Sequence, residues 1–334
     1  MKEIKNNVKI YTMKTAEYVR RGHPDRVCDI ISDAIVDKYL EKDPDSRIAV
    51  DVFGCHGIIN VGGEVTSNAD IDVADIVQKT YKDIGYNDEV KVFVNIEKQS
   101  TELTGLSNEG AGDSGICTGY ATNETPEMLP LEVVLAKRIC DVFDSIDNDM
   151  FAPDGKAQIT IDNGKVKIVV FSYQVKSGNM EGFVKKTIEE ILEGYLTKDT
   201  EWHLTAFKSG GFDADSGLTG RKNALWYGPS IPIGGGAFAG KDATKVDRSG
   251  AYLARNIAIN EVVNGRKSFA LVEIAYVIGR NEPLYIKING REIKSDGYSV
   301  KEVIEDFDLK KPIYKETSLR GHFGTNKFTW NINN

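Results

Sequence analysis

The chain has 334 residues, 41% of them hydrophobic and 28% charged, with a formal net charge of −8. That is ordinary globular composition, long enough for two or three units with large cores, and it argues against disorder. The acidic balance argues against a dedicated nucleic-acid binder or a protein that adheres to anionic membranes, and no apolar run reaches the ~18 residues that cross a bilayer.

The N-terminus, MKEIKNNVKIYTM, lacks the apolar core of a signal peptide. Cys28, Cys55, Cys117 and Cys140 form no C-x-x-C pair and read as reduced thiols of a cytoplasmic protein. Cys55 and His56 sit side by side in a strand pattern, which points them to opposite faces rather than to one metal.

In chain order, Val27, Ile30, Ile31, Ala34, Ile35 and Tyr39 predict a helix from Pro24 to Glu41 with one buried stripe. The strands RIAVDVFG and IINVGGEVT follow around a CHG turn, then the helix IDVADIVQKTYKDIGY and the strand VKVFVNI. The order recurs with a helix over 126–146 and the hairpin AQITIDNGKVKIVVFSYQ, whose Asp-Asn-Gly is a strong two-strand signal. A helix carrying Phe183, Val184, Ile188 and Ile191 and the strand HLTAF close that copy. A third copy runs from a helix over 246–263, ended by Gly265, through FALVEIAYVIG and PLYIKING to the helix SVKEVIEDFD and the segment PIYKET. Three α+β units of this kind, each a sheet with two helices on one face, are the expected architecture.

Three Gly-rich, non-periodic stretches lie between the copies, at 99–115, 208–222 and 234–248, where scaffolded sites usually sit. In GGGAFAGKDATKVDR the glycines let backbone N–H groups approach an anion, with Lys241, Lys245 and Arg248 alongside and Asp247 available for a metal. The spacing nearly matches a P-loop. Asp242 stands where a magnesium-binding Ser or Thr belongs, however, and SIPI is a weak preceding strand. Arg221 and Lys222 in the second stretch add positive charge, which suggests an anionic ligand in an acidic protein. Asp213 and Asp215 could ligate a metal or cap turns. In RRGHPDR, His23 lies just ahead of a helix and Pro24 and Asp25 in its first turn, an arrangement that suits either a plain cap or a phosphate and magnesium site. The stretch 99–115 is either a lid or a surface loop.

Taken together, these segments resemble the S-adenosylmethionine synthetase (methionine adenosyltransferase) family. The matching stretches are GHPD at 22–25, GGE at 62–64, KQS at 98–100, GAGD at 110–113, GYATNET at 119–125, PDGK at 153–156, DSGLTGRK at 215–222, GGGAFAGKDATKVDRS at 235–249, and PIYKET and GHFG near the end. They come in the family's order and cover most of the chain. The resemblance implies an α+β fold of three pseudo-three-fold-related βαββαβ-type domains: 8–100, 113–208 and 209–334, with 99–112 as a mobile active-site loop. It implies active sites shared in a homodimer or dimer of dimers, ATP and L-methionine as substrates, and no nucleic-acid or membrane partner. The implied reaction is attack of the methionine sulfur on C5′ of ATP, release of the whole triphosphate, and its hydrolysis to pyrophosphate and phosphate.

By matching position, the resemblance makes His23, Lys156, Arg221 and Lys241 catalytic, with His23 at the bridging oxygen of C5′. Those four, with Lys222, Asp154, Phe207, Asp215 and Ala237, would bind ATP, Phe207 by stacking on adenine. Glu64, Gln99, Asp113, Asp215 and Lys245 would bind methionine. Asp25 and Asp247 would hold two magnesium ions and Asp51 potassium. Asp51 is a methylene shorter than the family's usual glutamate, so potassium dependence is left open. Arg26 replaces the lysine that usually follows GHPD, and a guanidinium is not equivalent to an ammonium. Arg20 and Arg21 replace small or acidic residues, the stretch between KQS and GAGD is short, and the chain stops soon after GHFG, so lid behaviour and oligomer contacts are expected to differ.

Two alternatives make different demands on the residues. A non-catalytic regulatory homologue would have lost the chemistry of His23, Lys156 or Lys241, and all three are kept. A P-loop kinase is opposed by Asp242.

Overall fold

A computed structural model of the protein describes residues 13–100, 110–146 and 149–332. The first unit contains β1 (Lys14–Val19), α1 (Pro24–Lys42), β2 (Arg47–Cys55), β3 (Ile58–Thr66), α2 (Val73–Ile84) and β4 (Lys91–Glu97). The second repeats the order with β5 (Gly115–Thr122), α3 (Leu131–Ser145), β6 (Phe151–Asp162), β7 (Lys165–Val175), α4 (Glu181–Ile191) and β8 (Glu201–Phe207). The third has β9 (Gly217–Leu218), α5 (Val246–Val263), β10 (Phe269–Tyr276), β11 (Tyr285–Ile288), β12 (Arg291–Ile293), α6 (Val300–Asp306) and α7 (Tyr314–Arg320). The α+β architecture and three-fold repetition are as expected.

The expected hairpins form where the turn residues demand. Asn163 and Gly164 both have positive φ, as do His56 and Gly57 at the tip between β2 and β3. Cys55 therefore ends a strand and His56 lies in the turn. The helix expected from Pro126 begins only at Leu131, because Thr125–Pro130 is a turn: Thr125 Oγ1 donates to Leu129 O at 2.8 Å and Met128 has positive φ. PIYKET turns out to open α7.

The sheets are assembled by exchange. Their strand orders are β4-β3-β2-β9, β8-β7-β6-β1 and β12-β11-β10-β5. The strand leading into the first unit thus pairs antiparallel with β6 of the second, that leading into the second with β10 of the third, and that leading into the third with β2 of the first. None of these three strands has strong local signals; their pairing partners come from another unit. The final strand is parallel in the first two units. In the third its place is taken by β12, antiparallel to β11.

The exchange buries α1 more deeply than its apolar stripe predicts. Every residue from Pro24 to Asp37 is buried, because α2, α7 and the sheet surround the helix. Its polar side survives burial as a stripe of aspartates, Asp25, Asp29, Asp33 and Asp37, each taking a backbone N–H from Leu218 or beyond. Asp37 accepts from both Tyr314 and Lys315 at 2.8 Å and so caps α7.

Candidate active site

Three of the matched segments meet at the start of α1. The backbone of Arg20 and Gly22 donates to Gly155 O (2.9 Å) and Pro153 O (3.1 Å), which lays PDGK against GHPD. His23 is the N-cap of α1, and its Nδ1 accepts from the Asp25 N–H at 3.3 Å. Burial lowers the His23 pKa to about 4, aided by the charges of Lys222, Lys156 and Arg26 and opposed by Asp25. The ring is therefore neutral, and with Nδ1 accepting, its proton lies on Nε2 as a donor. The capping reading and the ligand reading of His23 are compatible: one nitrogen caps and the other is spare.

Asp25 is 1% exposed. Its Oδ1 accepts from Leu218 N (2.9 Å) and lies 2.7 Å from Arg221 Nε, and its Oδ2 accepts from Lys222 Nζ (2.8 Å). Burial pushes its pKa up, but the Lys222 bond, the Leu218 N–H and the neighbouring positive charge outweigh it and hold the carboxyl below its ordinary value. A group with a depressed folded pKa adds stability above its unfolded pKa and loses it as pH falls through the folded one. Asp25→Asn should therefore cost about 1–3 kcal/mol at pH 7 by leaving two cations unpaired, and the difference from wild type should shrink at pH 3. Urea unfolding at the two pH values checks this; an equal gap at both would refute the ionised pairing.

The second cluster forms at the start of α5. Gly240 has φ +81°, and a Cβ there would lie 1.9 Å from Val50 O. That close approach lets the segment dock on β2: Val50 N donates to Gly240 O (2.9 Å), Asp242 N to Ile48 O (3.1 Å), and Ala49 bridges to Lys241. The N–H of Gly240 goes to Asp33 at 2.9 Å. Fewer backbone donors are thus free for an anion than the glycine content suggested. Asp242 accepts from Ile48 N (2.6 Å) and Thr244 N (2.8 Å), a structural use that accounts for an acid at this position.

Lys241 pairs with Asp247, the first-turn acid of α5. A Cβ on Gly236 would lie 2.0 Å from Asp247 Oδ1, so the glycine makes room for the carboxylate. Asp51 is exposed on β2, two residues beyond the Ala49 that bridges to Lys241; desolvation raises its pKa and the Lys241 charge opposes the rise. Ala49 pairs in register with Glu64, so Lys241, Ala49 and Glu64 form one cross-strand row. Lys245 is buried and donates to Gly112 O at 3.2 Å, while Gly112 N donates to Thr244 O at 2.9 Å. GAGD, and with it Asp113, is thereby fastened to the Gly-rich segment.

The clusters are joined within one chain. Asn223 Nδ2 donates to Gly236 O at 2.8 Å, and Ala237 packs on Gly220. A third group lies beside the first. Asp154 is buried and accepts from Gly211 N at 2.8 Å. Burial raises its pKa, backbone N–H groups and Arg20 oppose this, and Asp215 adds to the rise. Phe207 is paired in register with Gln174, whose Oε1 accepts from Asp154 N at 3.3 Å. Lys156 stands at the rim, 3.5 Å from Glu17. Gln99 is buried, and its Oε1 has no hydrogen-bond partner among the described residues. Most of the loop expected over 99–112 lies outside the described residues.

Several charged residues are placed differently from expectation. Arg248 was counted with the anion-binding cations, but it is fully buried, paired with Asp33, bonded to Phe238 O (2.7 Å) and stacked 4.2 Å from the Tyr314 ring. Arg20 bonds Asp144, Ala152 O, Asp154 O and Phe143 O and bolts the first unit to the second. Arg26 lies over Trp226 (4.5 Å) and Tyr18 (5.3 Å), where a flat guanidinium stacks better than an ammonium. Asp215 accepts from the Ser216 N–H at 2.7 Å, a turn-capping bond. The aspartate stripe of α1 and Asn223 escaped sequence reasoning; the i, i+4 recurrence of Asp in an apolar helix was the available signal.

Asp25 and Asp247 fit the usual way of holding magnesium, in which one or two carboxylates act with substrate phosphates rather than a closed protein cage. Among the described residues no group of three or more His, Cys, Asp or Glu gathers to make such a cage.

Three family models match the chain in order: the S-adenosylmethionine synthetase N-terminal domain over residues 11–103, the central domain over 108–209 and the C-terminal domain over 209–332. The S-adenosylmethionine synthase of Sorangium cellulosum is 40% identical over 364 residues, covering 95% of this chain and 86% of that protein. Those of Mesoplasma florum and Aquifex aeolicus are each 36% identical, the first covering 95% of this chain and 96% of its own length, the second 96% of both. The sheet exchange, the neutral histidine at the head of α1 and the two carboxylate–cation clusters thus occur in a chain that belongs to the S-adenosylmethionine synthetase family.

Proposed function

We propose that this chain makes S-adenosylmethionine from ATP and L-methionine, with the Asp25 and Asp247 clusters gripping the triphosphate. The sulfur attacks C5′, the C5′–O bond breaks, and the triphosphate leaves whole before it is hydrolysed to pyrophosphate and phosphate. The leaving group gathers about four negative charges, so positioning and preorganised positive charge should supply most of the acceleration. The observation that carries the reading is the packing of the segment that bears Arg221 and Lys222 on the segment that bears Lys241, through Asn223–Gly236 and Gly220–Ala237.

In this reading His23 Nε2–H donates to the oxygen bridging C5′. Lys156, Arg221, Lys222 and Lys241 meet the polyphosphate. Phe207 stacks on adenine, with Asp154, Asp215 and Ala237 around the nucleoside. Glu64, Asp113 and the spare Gln99 Oε1 suit the methionine ammonium, with Asp215 and Lys245 beside them. Asp25 and Asp247 are the carboxylates to hold two magnesium ions, which when bound would neutralise triphosphate charge. Asp51 is the potassium carboxylate.

The assembly we infer is a homodimer or dimer of dimers, in which the two clusters also face a partner. Leu218, Phe53, Asn60 and Phe93 form one register row on the sheet carrying Asp51 and Glu64, with Phe93 55% and Phe53 40% exposed. Three exposed apolar side chains in one row, interrupted by Asn60, suit burial against a second copy. The three domains are proposed at 8–100, 113–208 and 209–334. No helix among the described residues is long and apolar enough to cross a membrane; the cytoplasm, with its reducing conditions, suits four free cysteines.

The test is incubation of the purified chain with ATP, magnesium, potassium and methionine. The sulfonium product with pyrophosphate and phosphate is expected. ADP would indicate a kinase, and bound nucleotide without turnover the regulatory alternative. Product formed without potassium would mean that Asp51 has relaxed the need for the cation.

A further inference from the structure

The four aspartates of α1 are one turn apart, about 6 Å of helix rise per step. Each holds a distant N–H: Asp25 that of Leu218 (2.9 Å), Asp29 that of Gly220 (2.8 Å), Asp33 that of Gly240 (2.9 Å) and Asp37 that of Tyr314 (2.8 Å). The middle two share a feature. Each grips the glycine immediately before a proposed triphosphate cation: Gly220 precedes Arg221, and Gly240 precedes Lys241. Both glycines have positive φ, so each cation leaves its loop from a fixed kink. Asp33 is itself locked by Arg248 and by Ser318 Oγ at 2.6 Å. Asp29 is 4% exposed, and the bond to Gly220 is its tie to the loop.

We propose that Asp29 is a positioning residue for triphosphate transfer: it fixes the 218–222 loop on α1, one helical turn from the Gly240 anchor, so that Arg221 and Lys222 are presented to the polyphosphate in a set place. This rests on the function proposed above. The working part of Asp29 is its acceptor oxygen. Burial pushes its pKa up to about 7, and the carboxyl oxygen accepts the Gly220 N–H whether or not the group is protonated. Asparagine, with the same acceptor in the same place, should replace it; at Asp25, which pairs two cations, it should not.

The experiment measures steady-state kinetics, binding of inorganic tripolyphosphate by calorimetry, and hydrogen exchange over 217–222 in the full chain. Asp29→Ala should lower kcat by about 10²-fold, the size of a misplacement of about 1 Å. It should weaken tripolyphosphate binding, speed exchange over 217–222, and leave KM for methionine close to wild type. Asp29→Asn should restore kcat and binding to nearly wild-type levels. A folded Asp29→Ala with wild-type kcat overturns the proposal, as does an Asn variant no better than Ala, or losses shared equally by methionine and tripolyphosphate. If the alanine variant does not fold, Asp29→Ser, whose hydroxyl is too short to reach Gly220, is held to the same outcomes. A wild-type chain that makes no sulfonium product overturns the functional reading itself, whereas an active wild type with an equally active Asp29→Ala overturns only this inference.

Discussion

Lys241→Ala lowers the rate of product formation by about 10²–10³-fold, the usual cost of removing one preorganised donor at a developing charge, while ATP affinity falls far less. Ground-state binding of the triphosphate is spread over Lys156, Arg221 and Lys222 as well, so one lost ammonium is partly covered. In the transition state the charge shifts onto the departing oxygens, and a fixed cation there is harder to replace. Lys241 also pairs with Asp247, so its removal leaves a carboxylate facing the phosphates. An unaltered rate in the single variant would exclude Lys241 from the triphosphate site.

His23→Ala is expected to cost a similar factor, about 10²–10³ in kcat, by removing the Nε2–H donor from the leaving oxygen. The pH dependence discriminates among roles. Burial together with the Lys222, Lys156 and Arg26 charges lowers the His23 pKa to about 4. The ring is thus neutral throughout pH 5.5–9, and the rate should show no step near 6.5 that belongs to it. A wild-type profile with such a step, lost in His23→Ala, would mean that a protonated imidazolium does the work. His23→Asn, which keeps a side-chain N–H but changes its reach, should recover part of the activity.

Legibility varied from element to element for physical reasons. α5 runs from Val246 to Val263 as its pattern predicts, because apolar spacing and the nearby Gly265 are local properties. The hairpin at Asn163–Gly164 was equally readable, since a tight turn with two positive φ values nearly dictates its residues. β9, only two residues long, carries no pattern of its own. The matched site residues were legible as a set because each lies in a distinctive segment. Their partners were not, and Arg248 illustrates why. In sequence it continues a run of cations; in the fold the α5 turn sends it inward to Asp33, with no exposure left for a ligand.

The sequence by itself determined the repeated helix and hairpin units, the turn chemistry and the family, all of which rest on residue types at short spacing. Only the tertiary structure decided which unit lends a strand to which sheet, that α1 is buried on its polar side as well, and that the glycines before Arg221 and Lys241 are tied to one acidic stripe. The reason is the same in each case: a buried N–H or charge must find its partner wherever the chain brings one, and here those partners lie ~200 residues away along the chain.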